Sequence, residues 1–376
     1  MDVHLLGKPC LSPTPSPSLL WRTPTNPRST STLRLVPEAI SVTESQAYKF
    51  RLAALTGSAV CQSRYQTIGG QTESPLEKGR ENEEDRRIRK RVFFLDVNPL
   101  CYNGSTPCLH SFAHWCSLFF SQVSHSNPVV AVIDGERGYE YRRQLLPSYK
   151  EHRRKFSRHS SSTSQRYFGG SSQEVIADVL NKCNVPVVKV EGYEADDVIA
   201  TLVGQVLGRG YRVVVASPDK DFKQLISEDV QIVMPMPDLG RWSFYTLKHY
   251  IAQYNIDPSS DLSLRCIMGD EVDGVPGIQN VVPSFGRKTA VKLIKKHGTL
   301  ENLLNAAAVR SIGREYAQVA LTKYADYLRR NYEVLALRRD LDIHLDEGWL
   351  AERDTNSDAL VLSNFVKLLG KKLESH

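Results

Sequence analysis

The feature that most constrains the fold of this chain is an alternation, from Val92 onward, of short apolar runs with segments of helical periodicity. Continuous apolar runs are typical of strands buried on both faces, and their alternation with helices indicates an α/β fold with a mainly parallel sheet. From about residue 246 to the end the pattern is helical. Strands are predicted at 92–95, 129–133, 185–190, 211–216 and 230–234, and helices between them at 109–122, 172–182 and 195–207.

Composition excludes several other classes of protein. Hydrophobic residues make up 41% of the chain and charged residues 24%, which is ordinary for a globular protein and excludes disorder throughout. No apolar run approaches the ~18 residues of a transmembrane helix, so no membrane span is expected. The seven cysteines form no C-x-x-C pair, and their odd number argues against a secreted disulfide scaffold. A net charge of +6 is compatible with a polyanionic partner.

The N-terminal part of the chain differs from the rest. Residues 3–37 contain no acidic residue, carry one lysine and three arginines, and are rich in Ser, Thr and Pro. This composition is typical of an organelle transit peptide, which we predict over residues 1–45 with the chloroplast or the mitochondrion as its destination. The alternative is a disordered tail without an address. A disordered linker is predicted over residues 46–90.

Acidic residues fall where the predicted strands end. Asp96 and Asp134 follow the first two strands, and Asp219 and Asp221 follow the fourth. Because the carboxyl ends of parallel strands meet at one edge of a sheet, these side chains are expected to share a crevice. Two further acidic segments, one opening a predicted helix and one in the helical region, add Glu194, Asp196, Asp197, Asp270 and Asp273.

Carboxylates gathered in one cleft require cations, because like charges at short range cannot all remain ionised. Oxygen ligands favour Mg²⁺ or Mn²⁺ over zinc, and the chain has no His/Cys cluster. No G-x-x-x-x-G-K-[ST] motif supports phosphoryl transfer from a nucleotide, whereas phosphodiester hydrolysis needs only two metal ions about 3.5–4 Å apart. The pattern therefore predicts a nuclease with two divalent ions. Helix starts and polar turns explain each acidic segment alone, but not all five together.

Two basic segments are candidates for holding a nucleic acid. Residues 141–158 carry seven Lys/Arg and one acidic residue, interleaved with aromatic residues, a combination that suits a single strand. Residues 286–301 form a glycine-containing turn followed by a lysine-rich helix, whose first amide groups can bind a phosphate. The alternatives are a solvated basic loop for the first segment and an ordinary amphipathic helix for the second.

Five motifs follow one another along the chain: VVAVIDGE, YRRQLLPSYKEHR, GYEADDVIATL, VVVASPDKDFKQL and GDEVDGVPGI…FGRKTAVKLIKKHGTLENLL. In this combination the chain resembles the 5′–3′ exonuclease domain of bacterial DNA polymerase I and its free-standing bacteriophage and flap-endonuclease relatives, over about residues 91–370. The resemblance implies a PIN-like nuclease core over residues 91–245, with a mainly parallel sheet flanked by helices and a helical arch. It also implies a helical region over 246–376 with a helix–three-turn–helix, or helix–hairpin–helix-type, DNA-binding module.

The resemblance also assigns roles to individual residues. One metal ion would be held by Asp96, Asp134, Glu194 and Asp196 with Asp197 beside them, and the second by Asp219, Asp221, Asp270 and Asp273. Lys150 and Arg142 match arch residues that contact the scissile phosphate, and Tyr149 and Arg153 match residues that grip the single strand. Arg287, Lys288 and Thr289 match a hairpin on the duplex backbone, where some relatives also hold a potassium ion.

Two segments depart from the family pattern. Residues 276–286 form a turn about four residues longer than usual, and residues 156–170 are Ser-rich without helical periodicity. The expected activity is that of a structure-selective 5′–3′ exonuclease or flap endonuclease for DNA, acting on flaps or primer RNA in organellar replication and repair. An organellar polymerase or ligase is an expected partner. The alternatives are a PIN-like RNase and a junction-binding protein without catalysis.

Overall fold

A six-stranded sheet forms the centre of the described chain. The structure is a computed structural model, and it describes residues 89–104, 106–151, 170–310 and 312–374. The predicted transit peptide, all but the last two residues of the predicted linker, and nearly all of the Ser-rich arch segment lie outside these ranges. The strands are β1 Arg91–Asp96, the short hairpin strands β2 Tyr102–Asn103 and β3 Thr106–Pro107, β4 Val129–Ile133, β5 Val187–Lys189, β6 Arg212–Ala216, β7 Val230–Met236 and β8 Arg241–Tyr245.

The strand order in the main sheet is β5-β4-β1-β6-β7-β8. The first five of these strands are parallel, and β8 pairs antiparallel with β7 at the edge. All five predicted strands are therefore present, and the expected mainly parallel sheet is confirmed. The edge strand β8 was not predicted, because it is short and only Trp242 and Tyr245 of its residues are buried.

Helices cover both faces of the sheet, as expected for an α/β fold. The predicted first helix is confirmed and continues as a π-helical turn, Phe120–Ser124. The helices, in chain order, are α1 Leu109–Phe119, α2 Glu140–Leu145, α3 Gly170–Lys182, α4 Ala195–Gly208, α5 Leu247–Tyr254, α6 Asp261–Met268, α7 Arg287–His297, α8 Leu300–Val309, α9 Glu315–Lys323, α10 Ala325–Leu335 and α11 Asp358–Glu374.

The strand β1 shows why the buried strands have continuous apolar sequences. Val92 and Phe94 belong to the hydrophobic cluster shared with α4 and the C-terminal helices, whereas Phe93 and Leu95 belong to the cluster shared with α1, α3 and α11. Successive side chains of a strand point to opposite faces, so a strand covered on both sides must be apolar at every position. These two clusters fix the sheet in the middle of three layers.

The helical region places a long connection beside the sheet edge. Helix α6 ends at Met268, and the connection continues through a 3₁₀ helix, Ile278–Asn280, to the start of α7 at Arg287. The side chains of Ile278 and Phe285 are fully buried and anchor the longer turn seen in the sequence. Within the ranges described, no helix has the length and apolar character needed to cross a bilayer.

Candidate active site

The carboxyl ends of the central strands bring the first predicted acidic residues together. Asp96 is the last residue of β1 and is only 3% exposed. The Ser217 hydroxyl, just after β6, donates a 2.7 Å hydrogen bond to Oδ2 of Asp96 and accepts one of 3.0 Å from the backbone N–H of Asp219. Ser217 thereby connects the carboxyl ends of the neighbouring strands β1 and β6.

The start of α4 joins this edge from the side. Glu194 is the residue that precedes the helix, and Asp196 and Asp197 lie in its first turn. The backbone N–H of Ala195 donates a 2.7 Å hydrogen bond to Oδ1 of Asp134, which follows β4. The hydrogen bond from this first-turn amide to Asp134 therefore holds the start of α4 against the end of β4. The start of a helix is also a favourable position for the negative charge of Asp134.

A second acidic group lies beside the first. Ligand oxygens of Asp221, Asp270 and Asp273 all lie within 4.8 Å of one another. Asp219 precedes them and accepts a 2.9 Å hydrogen bond from the backbone N–H of Asp221. The four residues predicted for the second metal ion are thus brought to the same crevice by β6 and the connection after α6.

Two basic residues that the sequence analysis did not single out lie in this second group. Nη2 of Arg265 lies 2.5 Å from Oδ1 of Asp221 and 2.7 Å from Oδ2 of Asp270, and Nζ of Lys220 lies 2.6 Å from Oδ1 of Asp270. Lys220 stands inside the SPDKD motif, so its position was available in the sequence. No local sequence pattern marked Arg265 as a site residue. It lies in α6, one helical turn before Gly269.

Lys150 lies between the two acidic groups. Its ammonium pairs with Oε1 of Glu194, and its backbone N–H donates a 2.9 Å hydrogen bond to the carbonyl of Asp273. The backbone φ of Lys150 is +49°, a left-handed conformation that is uncommon for a lysine and typical of sites under functional constraint. The charge of Lys150 acts on six of the nine predicted carboxylates, namely Asp96, Asp134, Glu194, Asp196, Asp221 and Asp273.

The electrostatics of the crevice show how tightly the acids are gathered. Burial, followed by the neighbouring charge of Asp219, raises the pKa of Asp221 to about 7, although Arg265 opposes the shift. Burial also opposes ionisation of Glu194 and Asp270, but their basic partners outweigh it and lower the pKa of both carboxyls. For three further carboxyls burial is the largest cause of a raised pKa: those of Asp96, Asp134 and Asp196.

This donor set fits divalent cations that prefer oxygen. The ligand atoms are carboxylate oxygens, and because burial raises the pKa of Asp96, Asp196 and Asp221, bound cations would favour the ionised forms of these acids. No histidine or cysteine joins the three-residue cluster within the described ranges, so softer ligands for zinc do not contribute there.

Three predicted site residues are placed differently from the expectation. Both oxygens of Asp197 accept hydrogen bonds of 2.7–2.8 Å from Arg142, so this carboxylate is paired with an arginine instead of being open to a metal ion. Arg142 itself is only 4% exposed and is directed at protein acceptors rather than at the crevice. Tyr149 is 3% exposed and donates through its hydroxyl to Oε2 of Glu194, so its ring is not available to stack on a base. Burial of this segment against α4 could not be read from its basic composition.

The residues predicted to contact the duplex lie at the start of α7. Arg287 and Lys288 are exposed, and the guanidinium of Arg287 lies 5.6 Å from the ring centroid of Tyr254. The hydroxyl of Thr289 lies 3.0 Å from that of Tyr316, a contact that holds the start of α7 against α9. Arg153 lies outside the described residues.

Comparison with known proteins gives matches along most of the described chain. The model of the 5′–3′ exonuclease N-terminal resolvase-like domain matches residues 90–255, and that of the 5′–3′ exonuclease C-terminal SAM fold matches residues 256–357. A 5′–3′ exonuclease of Aquifex aeolicus is 37% identical over 46% of this chain and 55% of its own length. DNA polymerase I of Geobacillus stearothermophilus is 28% identical over 69% of this chain and 29% of its own length.

Solved structures show the same fold. A T5 protein co-crystallized with metal ions matches with a TM-score of 0.53 and 21% identity, over 75% of this chain and 99% of that one. T5 5′-exonuclease with bound zinc gives a TM-score of 0.50 at 22% identity, over the same shares of the two chains. The fold and the site define a class of protein in which a resolvase-like α/β core is followed by a helical region with a SAM fold. The chain belongs to the 5′–3′ exonuclease family.

Proposed function

We propose that this protein is a divalent-metal-dependent, structure-selective 5′ nuclease that hydrolyses DNA phosphodiesters near single-strand/duplex junctions. The observation that carries the proposal is the gathering of eight carboxylates from five segments in one crevice, where the charge of Lys150 acts on six of them. Such a concentration of buried acids is costly to the fold and is retained where cations and a phosphate are to be bound. Membership of the 5′–3′ exonuclease family supports this assignment.

The chemistry follows from the positions of the side chains. Two Mg²⁺ or Mn²⁺ ions would activate water for attack and stabilise the leaving oxygen. Asp96, Asp134, Glu194 and Asp196 would hold one ion. The second would lie with the cluster of Asp221, Asp270 and Asp273 and with Asp219. Lys150, already directed into the crevice, would exchange its contact with Glu194 for an oxygen of the scissile phosphate and stabilise the charge that develops there.

The duplex would be held away from the reacting phosphate. The exposed Arg287 and Lys288, with the first amide groups of α7, suit contacts to backbone phosphates, which position a duplex without reading its sequence. Selection of flaps or nicked ends by shape follows from such contacts. A potassium ion at the connection before α7 is part of the proposal, because the family resemblance implies one there.

The biological setting we propose is replication and repair of organellar DNA. It is supported by the acid-free, Ser- and Pro-rich composition of residues 3–37. Removal of primer RNA and of displaced flaps would place the protein beside an organellar polymerase or ligase. The address is tested by fusing residues 1–90 to a fluorescent protein, since chloroplast, mitochondrial and diffuse signals have distinct patterns. A diffuse signal would contradict the organellar setting but not the nuclease activity.

The activity is tested with the full chain and a 5′-flap DNA duplex labelled at both ends of the flapped strand. We expect cleavage with Mg²⁺ or Mn²⁺ and none with EDTA, and the product lengths separate flap cutting from stepwise trimming. Faster cleavage of a matched RNA flap would favour the PIN-like RNase. Tight binding that is independent of divalent ions and yields no product would indicate a junction-binding protein without catalysis.

A further inference from the structure

All five N–H donors of Arg142 are engaged by protein acceptors. Nε donates to the carbonyl of Val334 at 2.9 Å, and Nη2 donates to the carbonyl of Ala336 at 3.0 Å and to Oδ1 of Asp197 at 2.7 Å. Nη1 donates to Oδ2 of Asp197 at 2.8 Å and to Oε2 of Glu194 at 2.7 Å. A guanidinium has five such donors and no acceptor, so this arginine has nothing left for a phosphate.

The acceptors of Arg142 come from two distant parts of the chain. Glu194 and Asp197 lie at the start of α4, whereas the two carbonyls lie at and just after the end of α10. Asp197 makes a second contact between the same two parts of the chain, because its Oδ1 also accepts a 2.9 Å hydrogen bond from the backbone N–H of Arg338. The extended segment after α10 is thereby fixed against the helix that supplies ligands to the first metal site.

A second side chain holds the same extended segment. The amide of Gln224 donates to the carbonyl of Leu335 at 2.8 Å, and its oxygen accepts from the backbone N–H of Leu337 at 3.3 Å. Gln224 lies in the 3₁₀ helix that begins with Lys220 and also contains Asp221. The segment after α10 is therefore held from both acidic groups of the crevice, in each case by polar side chains on its backbone.

The two oxygens of Glu194 have different partners. Oε2 receives Arg142 and the hydroxyl of Tyr149, whereas Oε1 faces the ammonium of Lys150 in the crevice. Arg142 and Tyr149 thus fix one oxygen and turn the other toward the site where a metal ion or phosphate would bind. The bidentate contact of Arg142 with Asp197 in turn fixes the plane of the guanidinium.

We propose that Arg142 is a positioning residue, which together with Asp197 orients Glu194 for the metal ion and makes that orientation depend on the packing of the segment after α10. This inference rests on the proposed metal-dependent function and replaces the phosphate contact that the family resemblance suggested for Arg142. A direct phosphate contact would require breaking several buried, charge-assisted hydrogen bonds and leaving the buried charge of Asp197 without its arginine partner, which is strongly unfavourable.

The two roles of Arg142 predict different changes. Residues that orient a metal ligand typically change metal affinity about 10- to 100-fold when they are replaced. We therefore expect Arg142→Met and Asp197→Asn to weaken Mn²⁺ binding by about tenfold or more, measured by calorimetry without DNA. Single-turnover cleavage of a saturating flap duplex should fall at low metal concentration and recover as the metal concentration rises. A phosphate contact would instead lower the rate at every metal concentration and leave Mn²⁺ affinity unchanged.

Two further variants keep the test independent of folding. Arg142→Lys keeps the charge but loses the bidentate geometry, and we expect an intermediate Mn²⁺ affinity. Arg338→Met is the matched control, because it removes a neighbouring arginine side chain while leaving the backbone N–H that Asp197 accepts. Its Mn²⁺ affinity should equal that of the wild type. If Arg142→Met does not fold, judged by circular dichroism, Arg142→Lys and Asp197→Asn carry the test.

The outcomes separate this inference from the proposed function. Wild-type protein that neither binds Mn²⁺ nor cleaves a flap would contradict the metal-dependent nuclease itself. Wild-type protein that does both, while folded Arg142→Lys and Asp197→Asn keep wild-type Mn²⁺ affinity, would overturn the positioning role alone. Weakened Mn²⁺ binding in these variants, with cleavage restored by excess metal, would establish it.

Discussion

The backbone of Lys150 is hydrogen-bonded to the carbonyl of Asp273 at 2.9 Å, so the base of the basic segment and the acidic connection after α6 form one unit. The hydroxyl of Ser148 adds a 2.8 Å hydrogen bond to the carbonyl of Gly274. The residue that would stabilise the phosphate is therefore placed by the same backbone that would supply two ligands of the proposed second metal site. Displacing either backbone should affect both functions together.

Gly274 offers a direct test of this unit. Its φ is +70°, and a Cβ atom there would lie 2.4 Å from the carbonyl oxygen of Ser148. We expect Gly274→Ala to push the two backbones apart and to lower the single-turnover rate on a flap duplex by at least about tenfold, as a small misplacement at an active site can. Gly210→Ala is the matched control, since Gly210 also has a positive φ (+80°) but no neighbour within 4 Å. Equal rates for the two variants would contradict the coupling.

Asp219 should be essential for cleavage but not for DNA binding. The variant Asp219→Ala removes one predicted ligand and the acceptor of the Asp221 backbone N–H. We expect no measurable cleavage of a flap duplex in Mg²⁺, with an affinity for the same duplex within a few-fold of the wild type, measured by fluorescence anisotropy in Ca²⁺. Asp178→Ala, which only removes an exposed i,i+4 pair with Lys182, should cleave normally. Normal turnover by Asp219→Ala would remove this residue from the metal site.

Lys150 should act on the chemical step more than on binding. Replacing it with alanine removes a positive charge that acts on six of the carboxylates, so the developing charge on a phosphate loses its partner. We expect Lys150→Ala to slow single-turnover cleavage by about 10²-fold or more, with a smaller effect on duplex affinity. An unchanged single-turnover rate would exclude the role, and Lys189→Ala on the edge strand β5 serves as the surface control.

The stability of the metal-free protein should fall as the pH rises from about 4 to 7. The pKa of the Asp221 carboxyl is about 7 in the folded chain and its ordinary value is 3.8, so the folded state binds the extra proton across this window. The pKa values of the Glu194 and Asp270 carboxyls are lowered instead. Their contribution to stability is therefore lost only when the pH falls below this window. We expect the Tm difference between Mg²⁺ and EDTA to increase from pH 5 to pH 8. A difference independent of pH would contradict the linkage.

Arg353 should stabilise the fold far from the crevice. Its side chain is 1% exposed, donates at 2.8 Å to Asp358 and to the carbonyl of Cys183, and lies 4.2 Å from the ring centroid of Phe120. We expect Arg353→Met to lower the free energy of unfolding by about 3 kcal/mol, because it leaves buried acceptors without a donor. The exposed pair of Arg209 with Glu347 is the control, and Arg209→Met should cost less than about 1 kcal/mol. Urea denaturation of the two variants tests the contrast.

The sequence was sufficient to predict the features that depend on local sequence patterns, namely the parallel strands and the acidic residues at their ends. Five parallel strands and the acids at their ends follow from apolar runs that terminate in Asp96, Asp134 and Asp219, because strand ends meet at one edge whatever the loops do. The burial of the Arg142 and Tyr149 side chains could not be predicted from such local rules. Both belong to a basic, aromatic segment that suggests an exposed surface, and only the tertiary contact with α4 and α10 determines that they are buried.

Long-range partners explain the remaining differences. Arg265 bridges Asp221 and Asp270 from a helix whose amphipathic pattern is satisfied without any site, so nothing local distinguishes it from a surface arginine. The edge strand β8 pairs with β7 through a short, alternating sequence that becomes a strand only because its neighbour is present. In each case the deciding contact joins segments that are separated along the chain.

The distribution of the site along the chain bears on when the protein becomes able to act. Its acids begin at Asp96 and end at Asp273, and the carbonyls that hold Arg142 in place come still later, at Val334 and Ala336. A chain that has not yet been synthesised past Ala336 lacks the last of these groups. We therefore expect the proposed cutting activity to appear only after almost all of the chain has been synthesised and folded.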